Sequence, residues 1–123
     1  MDKPHKKLKA WKQAIAIVKG VYEITAAFPD DEKFGMVSQM RRAAVSISSN
    51  IAEGAARGSN RDFARFLYMA RGSLSELDTQ LELASVLGYT EPKAWHDLNH
   101  VMIEGDKLLS GLLKSVQKDS TDE

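Results

Sequence analysis

Three residues near the C-terminal end of the sequence have the side chains and the spacing of metal ligands. His96, His100 and Glu104 stand at positions i, i+4 and i+8, which would place two imidazoles and one carboxylate on a single face of a helix. A di-iron helical bundle uses a Glu-x-x-His motif on two helices, and this sequence contains none. We therefore favour an ordinary polar face, predict no metal site, and keep a metal-binding enzyme as the least favoured hypothesis.

Residue sets for other kinds of catalysis are missing from the sequence. Ser73 and Glu76 have only distant histidines, so nothing groups a nucleophile, a base and an oxyanion donor. The absence of cysteine excludes thiolate zinc sites and cysteine nucleophiles, and there is no glycine-rich phosphate loop. We predict that the protein is not an enzyme and that it uses no cofactor.

Two stripes of polar residues indicate a different kind of site. The first stripe, at helical steps of three and four, consists of Gln39, Arg42, Ser46, Asn50, Glu53 and Arg57, and the second consists of Ser73, Glu76 and Gln80. Each stripe either faces water or meets the other, within one bundle or between copies, because a buried amide or carboxylate without a partner is costly. We predict a polar packing or interface network formed by Asn50, Glu53, Ser73, Glu76 and Gln80.

Arginine is concentrated in the middle third of the chain. Arg57, Arg61 and Arg65 would project near one connection between helices, where they would suit phosphate groups. The alternative is a solvated face on which Asp62 and Glu53 pair with them, and we prefer it because the 17 basic and 17 acidic residues cancel. Binding of RNA or DNA by these three arginines and the lysines of the first segment is our second hypothesis.

Four amphipathic segments are available to position these side chains. Apolar residues at steps of three or four predict a first helix over residues 8–27. Its predicted core stripe is Leu8, Trp11, Ile15, Val18, Tyr22 and Thr25. Seven-residue apolar repeats predict three more helices, over about residues 32–57, 60–87 and 91–117. The tail from Lys118 onward is polar, and we expect it to fray.

Signals for helix ends separate the four segments. Asp30 offers an N-cap oxygen to the second helix, Ser59 and Asp62 resemble a capping box, and Gly88 suits a C-terminal cap. The connections are only about three to five residues long, which favours antiparallel neighbours. The sequence therefore predicts one all-α domain over residues 1–123, an antiparallel up-down-up-down four-helix bundle.

The composition is that of a soluble globular protein. Hydrophobic residues make up 43% and charged residues 28% of the sequence, which is not the balance of a disordered chain. The first residues, MDKPHKKLKAW, lack the apolar run of a signal peptide, and no run of about 18 apolar residues occurs. We expect a cytoplasmic protein that has no membrane partner.

The motifs at the centre of the chain resemble those of one family. The stretch FPDDEKFGMVSQMRRAAVSISSNIAEG, followed by RGS and DFARFL, closely resembles the small bacterial four-helix-bundle proteins known as 23S rRNA intervening-sequence proteins. The similarity runs from about Leu8 to Tyr89. Ser48 stands where many of these relatives have proline.

The resemblance implies an antiparallel bundle that assembles into a homopentamer of unestablished molecular role. The family is also similar to the accessory variability determinant of diversity-generating retroelements, a basic pentamer that binds nucleic acid, whereas this chain has zero net charge. We expect an oligomeric scaffold or adaptor whose first partner is itself. RNA or DNA is the alternative partner, because a ring multiplies a modest basic patch.

Overall fold

The computed structural model describes the backbone of residues 1–121 and the side chains of residues 1–119. Over that part of the chain it contains four α-helices and no strand. They are α1 (Lys9–Thr25), α2 (Met36–Ala55), α3 (Asn60–Val86) and α4 (Pro92–Thr121), with 3-10 turns at Pro4–Lys7 and Asp30–Glu32. The predicted all-α four-helix bundle is confirmed.

The helices form a closed square of sequential neighbours. Each helix packs against the next one in the chain, and α4 packs back against α1. Thr25 at the end of α1 contacts Arg41 early in α2, and Gly54 near the end of α2 lies beside Phe63 at the start of α3. This arrangement is compatible with the predicted up-down-up-down topology.

Most of the predicted core stripes are buried. The buried members are Val37, Met40, Ala44, Ile47 and Ile51 on α2, then Leu67, Ala70, Leu74, Leu77, Leu81 and Ala84 on α3, and Leu98, Met102, Gly105, Leu109 and Val116 on α4. They form one continuous apolar core along the bundle axis. Apolar repeats of this spacing bury well because one stripe of each helix faces the centre.

The predicted core stripe of α1 is wrong in part, since Thr25 is buried and Leu8, Trp11 and Val18 pack against the core, but Ile15 and Tyr22 do not belong to it. The residues of α1 that are buried in the core are Ala10, Ala14, Ile17, Val21 and Ile24, whereas Ile15 and Tyr22 are each 44% exposed. The buried residues also follow steps of three and four, so α1 carries two possible apolar stripes. The physical reason for the difference is the rotation of α1 about its axis, which turns the side with Ala14, Ile17 and Val21 toward the core.

The helix ends follow the local sequence signals in part. The Ser59 hydroxyl accepts a hydrogen bond from the Asp62 amide at 3.2 Å, which confirms the predicted N-cap. Gly88 has φ of 74°, the left-handed conformation that favours glycine after a helix.

Two other predicted helix bounds are corrected. The second helix was expected from residue 32, but Asp30–Glu32 forms a 3-10 turn and α2 starts only after Gly35. The tail from Lys118, expected to fray, is helical through Thr121, and residues 122–123 lie outside the described residues. At Ser48, where relatives have proline, α2 continues unbroken and the hydroxyl bonds to the Val45 carbonyl at 2.8 Å.

Three glycines let helices approach more closely than alanine would. A methyl group on Gly54 would lie 2.8 Å from Phe63 Cδ1 and 2.8 Å from Phe66 Cβ. The same addition at Gly20 would meet Leu98 at 2.8 Å, and at Gly105 it would meet Ile17 at 2.7 Å. Gly54 thus sets the distance between α2 and α3, and the other two set the distance between α1 and α4.

We expect Gly54→Ala to lower the free energy of unfolding by about 1–3 kcal/mol, because the added methyl overpacks a site bounded by backbone as well as side chain. Gly72→Ala is the matched control, since nothing lies within 4 Å of its added methyl. Removing a glycine from that helix interior should raise stability by about 0.5–1 kcal/mol. Urea unfolding of both variants measures the difference, and a Gly54→Ala variant as stable as the wild type would refute the close-approach argument.

Candidate interaction surface

Three polar side chains join α2 to α3 halfway along the bundle. The Ser46 and Ser73 hydroxyl oxygens lie 2.9 Å apart, and Ser73 also donates to the Met69 carbonyl at 3.2 Å. The Asn50 amide donates to the Ser46 carbonyl at 2.9 Å and to its hydroxyl at 3.0 Å. Two of the predicted network residues, Asn50 and Ser73, are therefore brought together through Ser46.

Gln80 and Glu76 form a second polar pair, on α3 itself. Gln80 is only 7% exposed, and its amide donates to the Glu76 carboxylate at 3.3 Å. The Gln80 carbonyl oxygen is buried without a hydrogen-bond partner. A buried acceptor in this state lowers stability, because it has lost its water.

Glu53 does not join either group. Its side chain is exposed, and no hydrogen bond or ion pair connects it to another described side chain. The predicted role of Glu53 in a polar network stays a prediction, which can apply only to contacts between copies.

An open groove of about 980 Å³ runs over α2, between the end of α1 and the middle of α3. We call it the α2 groove. It contains the exposed apolar side chains of Tyr22, Phe34 and Val45, and the polar ones of Ser46, Ser73 and Glu76. The basic residues Lys33, Arg41 and Arg42 complete it. Ser46, Ser73 and Glu76 of the two predicted polar stripes therefore line the same groove as exposed apolar side chains.

Phe34 is the most unusual residue of this groove. It lies in the connection between α1 and α2 and is 90% exposed, although phenylalanine is usually buried. The Lys33 ammonium lies 5.6 Å from the centre of its ring. The sequence prediction missed this residue because it falls outside every apolar repeat, and one aromatic in a polar connection gives no periodic signal.

Arg41 fixes the shape of the groove where α1 ends. Its guanidinium donates to the Thr25 hydroxyl at 3.0 Å and lies 4.3 Å from the centre of the Tyr22 ring. The last turn of α1 has no basic residue of its own, so this cation from α2 stands near the negative end of the α1 dipole. It holds Tyr22 at the edge of the groove.

The three arginines proposed as phosphate contacts have different surroundings. Arg57 and Arg65 lie on the Phe66 ring, 4.6 Å and 4.7 Å from its centre. Both pair with Asp62, at 4.0 Å and 3.0 Å. Arg61 is exposed and has no ion pair with a described residue. The ion pairs that a solvated face predicts are therefore present for Arg57 and Arg65 and not for Arg61 within the described residues.

The candidate metal ligands on α4 do not form a metal site. No group of three or more histidine, aspartate or glutamate side chains comes together within the described residues. Glu104 instead lies 3.6 Å from the Lys107 ammonium, and His96 packs edge-on against Trp95. These contacts are those of an ordinary polar helix face.

The fold and the surface describe a small four-helix-bundle protein whose polar side chains gather between α2 and α3 and along one open groove. The chain belongs to the 23S rRNA-intervening sequence protein family, since the model of that family matches residues 6–111. The resemblance seen in the central motifs is thereby confirmed. No curated protein matches the chain.

Solved structures share the fold. One of them is a protein of unknown function from the S23 ribosomal protein family of Bacteroides thetaiotaomicron VPI-5482, with a TM-score of 0.78 over 85% of this chain and 95% of that chain. The two sequences are 24% identical, so the likeness concerns the fold alone. None of the helices over residues 1–121 combines the length and the apolar character that crossing a membrane requires.

Replacing Gln80 with methionine should raise the free energy of unfolding by about 1 kcal/mol. The variant removes a buried carbonyl oxygen that has no partner, and the hydrogen bond lost with Glu76 is long and partly exposed. Thermal unfolding of Gln80→Met measures the change. Gln117→Met is the control, because Gln117 is exposed and its amide has a partner in the Tyr68 hydroxyl at 2.6 Å. A lower free energy of unfolding for Gln80→Met would mean that the hydrogen bond from Gln80 to Glu76 stabilises the protein more than the unpaired carbonyl oxygen of Gln80 destabilises it.

Proposed function

We propose that this chain is a non-enzymatic, cytoplasmic bundle that associates with copies of itself and serves as an oligomeric scaffold or adaptor. The expected assembly is a homopentamer, as the family resemblance implies. The observation that carries the proposal is the α2 groove, in which exposed Phe34, Tyr22 and Val45 share one surface with hydrogen-bonding side chains.

The composition of the groove supports protein association. Apolar patches rimmed by polar groups mark interaction sites on soluble proteins, and aromatic residues are enriched at interface centres, where they carry much of the binding energy. Phe34 has almost its whole ring free, and its exposure does not serve the bundle core. Ser46 and Ser73 already bond to each other, so covering them would leave no unpaired hydroxyl.

The groove is a poorer candidate for catalysis. Its titratable side chains are Lys33, Arg41, Arg42, Tyr22 and Glu76, and Arg41 is already bound to the end of α1. Among the described residues, no histidine lines the groove and no base is hydrogen-bonded to Ser46 or Ser73. A serine without a base has no means of activation, so the groove supports binding rather than chemistry.

Phe34→Ala should weaken self-association by about tenfold or more, because truncating a central aromatic anchor removes its buried surface from the interface. Sedimentation velocity over a wide range of concentrations measures the effect. Val86→Ala is the control, since Val86 is also largely exposed, at 74%, and lies outside the groove. A wild-type protein that stays monomeric at tens of micromolar would refute the proposal.

Nucleic-acid binding is a second candidate, favoured by the position of the basic residues. The 3-10 turn Pro4–Lys7 packs against both α1 and α2. In the expected antiparallel bundle, the lysines at the start of the chain and Arg57 with the start of α3 share one end. A ring of copies would repeat this basic end around its rim, and multivalency would strengthen weak phosphate contacts.

Arg61→Ala should weaken binding of labelled RNA several-fold and reduce the slope of the salt dependence by about one, because Arg61 has no ion pair with a described acidic residue. Arg71→Ala, on the exposed middle of α3, is the matched control. Fluorescence anisotropy over a salt series gives both quantities. Binding that is absent, or that does not weaken with salt, would exclude a phosphate-dominated contact.

A further inference from the structure

A second groove of the molecule has the opposite charge to the first. It is an opening of about 340 Å³ between α3 and α4, which we call the α3–α4 groove. Leu74, Met102 and Ile103 give it an apolar floor, and Asp78 and Asp106 stand at its edge. Neither aspartate has an ion pair with a described residue. Lys107 also lines this groove, but its ammonium already pairs with Glu104.

The α2 groove has the complementary features. Three of its side chains are cationic against the single carboxylate of Glu76. Arg42 is exposed and makes no hydrogen bond or ion pair with a described side chain. The Lys33 ammonium lies 5.6 Å from the centre of the Phe34 ring and has no ion pair with a described residue. One groove thus offers a protruding aromatic ring and two available cations, and the other offers an apolar floor and two available carboxylates.

We propose that the α2 groove of one copy binds the α3–α4 groove of a second copy. Phe34 then packs on the floor formed by Leu74, Met102 and Ile103, and Lys33 and Arg42 lie against Asp78 and Asp106. The inference rests on the proposed self-association and specifies the surfaces that carry it.

Charge determines which surfaces can meet. Two α2 grooves facing each other would set cations against cations, and two α3–α4 grooves would set carboxylates against carboxylates, which disfavours both pairings. The favoured pairing joins different surfaces and is therefore heterologous, so it produces a closed ring or an open filament instead of a two-fold dimer. A chain of zero net charge can accumulate in such an assembly without repelling itself.

Charge reversal tests the pairing. Lys33→Glu/Arg42→Glu and Asp78→Lys/Asp106→Lys should each weaken self-association by tenfold or more, because each places like charges in contact. Combining all four substitutions in one chain should restore assembly. Mixing the two double variants should restore the contact between unlike copies, but not a closed ring of five, because an odd number of copies cannot alternate. All four positions are exposed, so the substitutions should leave the core intact. Circular dichroism must first show wild-type helicity for every variant.

The possible results distinguish failure of the groove pairing from failure of self-association itself. A wild-type protein without self-association refutes the proposed function itself. Wild-type assembly that neither double variant weakens, or that the fourfold variant does not recover, refutes only the pairing of the two grooves. If Lys33→Glu/Arg42→Glu loses RNA binding while its assembly is unchanged, the α2 groove belongs to nucleic acid and the inference is overturned.

Disulfide trapping gives a second measurement. The sequence holds no cysteine, so any disulfide must join introduced cysteines. Ser38 lines the α2 groove and Ser75 lines the α3–α4 groove, and replacing them keeps Phe34 and Ile103 in place. Under mild oxidation, a mixture of tagged Ser38→Cys and untagged Ser75→Cys should give the mixed dimer faster than either variant gives its own homodimer. Val86→Cys paired with Ser75→Cys is the matched control. Equal rates in the two mixtures, or faster homodimers of Ser38→Cys, would overturn the heterologous contact.

Discussion

At Gly54, α2 lies so close to α3 that Phe63 and Phe66 occupy the space in which a methyl group would have to fit. This short distance is what allows the polar bridge between the helices. The Ser46 and Ser73 hydroxyls are short side chains, and they reach each other at 2.9 Å only because the two backbones are close. Small residues thus determine both the packing of α2 on α3 and the polar contacts along it.

The apolar surface of the molecule depends on the rotation of α1 about its axis. Ala14, Ile17 and Val21 face the core, and Gly20 and Gly105 bring α1 and α4 close together there. Ile15 and Tyr22 lie off this side and are each 44% exposed. Together with Phe34, the exposed Tyr22 gives the α2 groove its aromatic character.

The sequence predicted the four helices well and the groove poorly. Seven-residue repeats and capping residues such as Ser59 and Gly88 are local signals, and they sufficed for α2, α3 and α4. The core face of α1 was misassigned in part, because Ala14, Ile17 and Val21 form a second stripe with the same steps of three and four, and spacing alone does not choose between two such stripes. The roles of Phe34 and Arg41 were not predicted, because they depend on where α1 ends relative to α2. The spacing of residues along the sequence does not give that position.

The contact between α1 and α4, which we call the α1–α4 seam, joins helices that are far apart in the sequence, unlike the other helix contacts. The neighbours α1 and α2, α2 and α3, and α3 and α4 are joined by short connections, but the Gln13 amide reaches the Val101 carbonyl across 88 positions. Contacts between sequence neighbours form with little loss of chain entropy, whereas closing a long loop is slow. We therefore expect the α1–α4 seam to form late in folding. A chain that ends before α4 would leave Ile17 and Gly20 without Gly105 and Leu98, which lie against them, so the core along α1 closes only when α4 is complete.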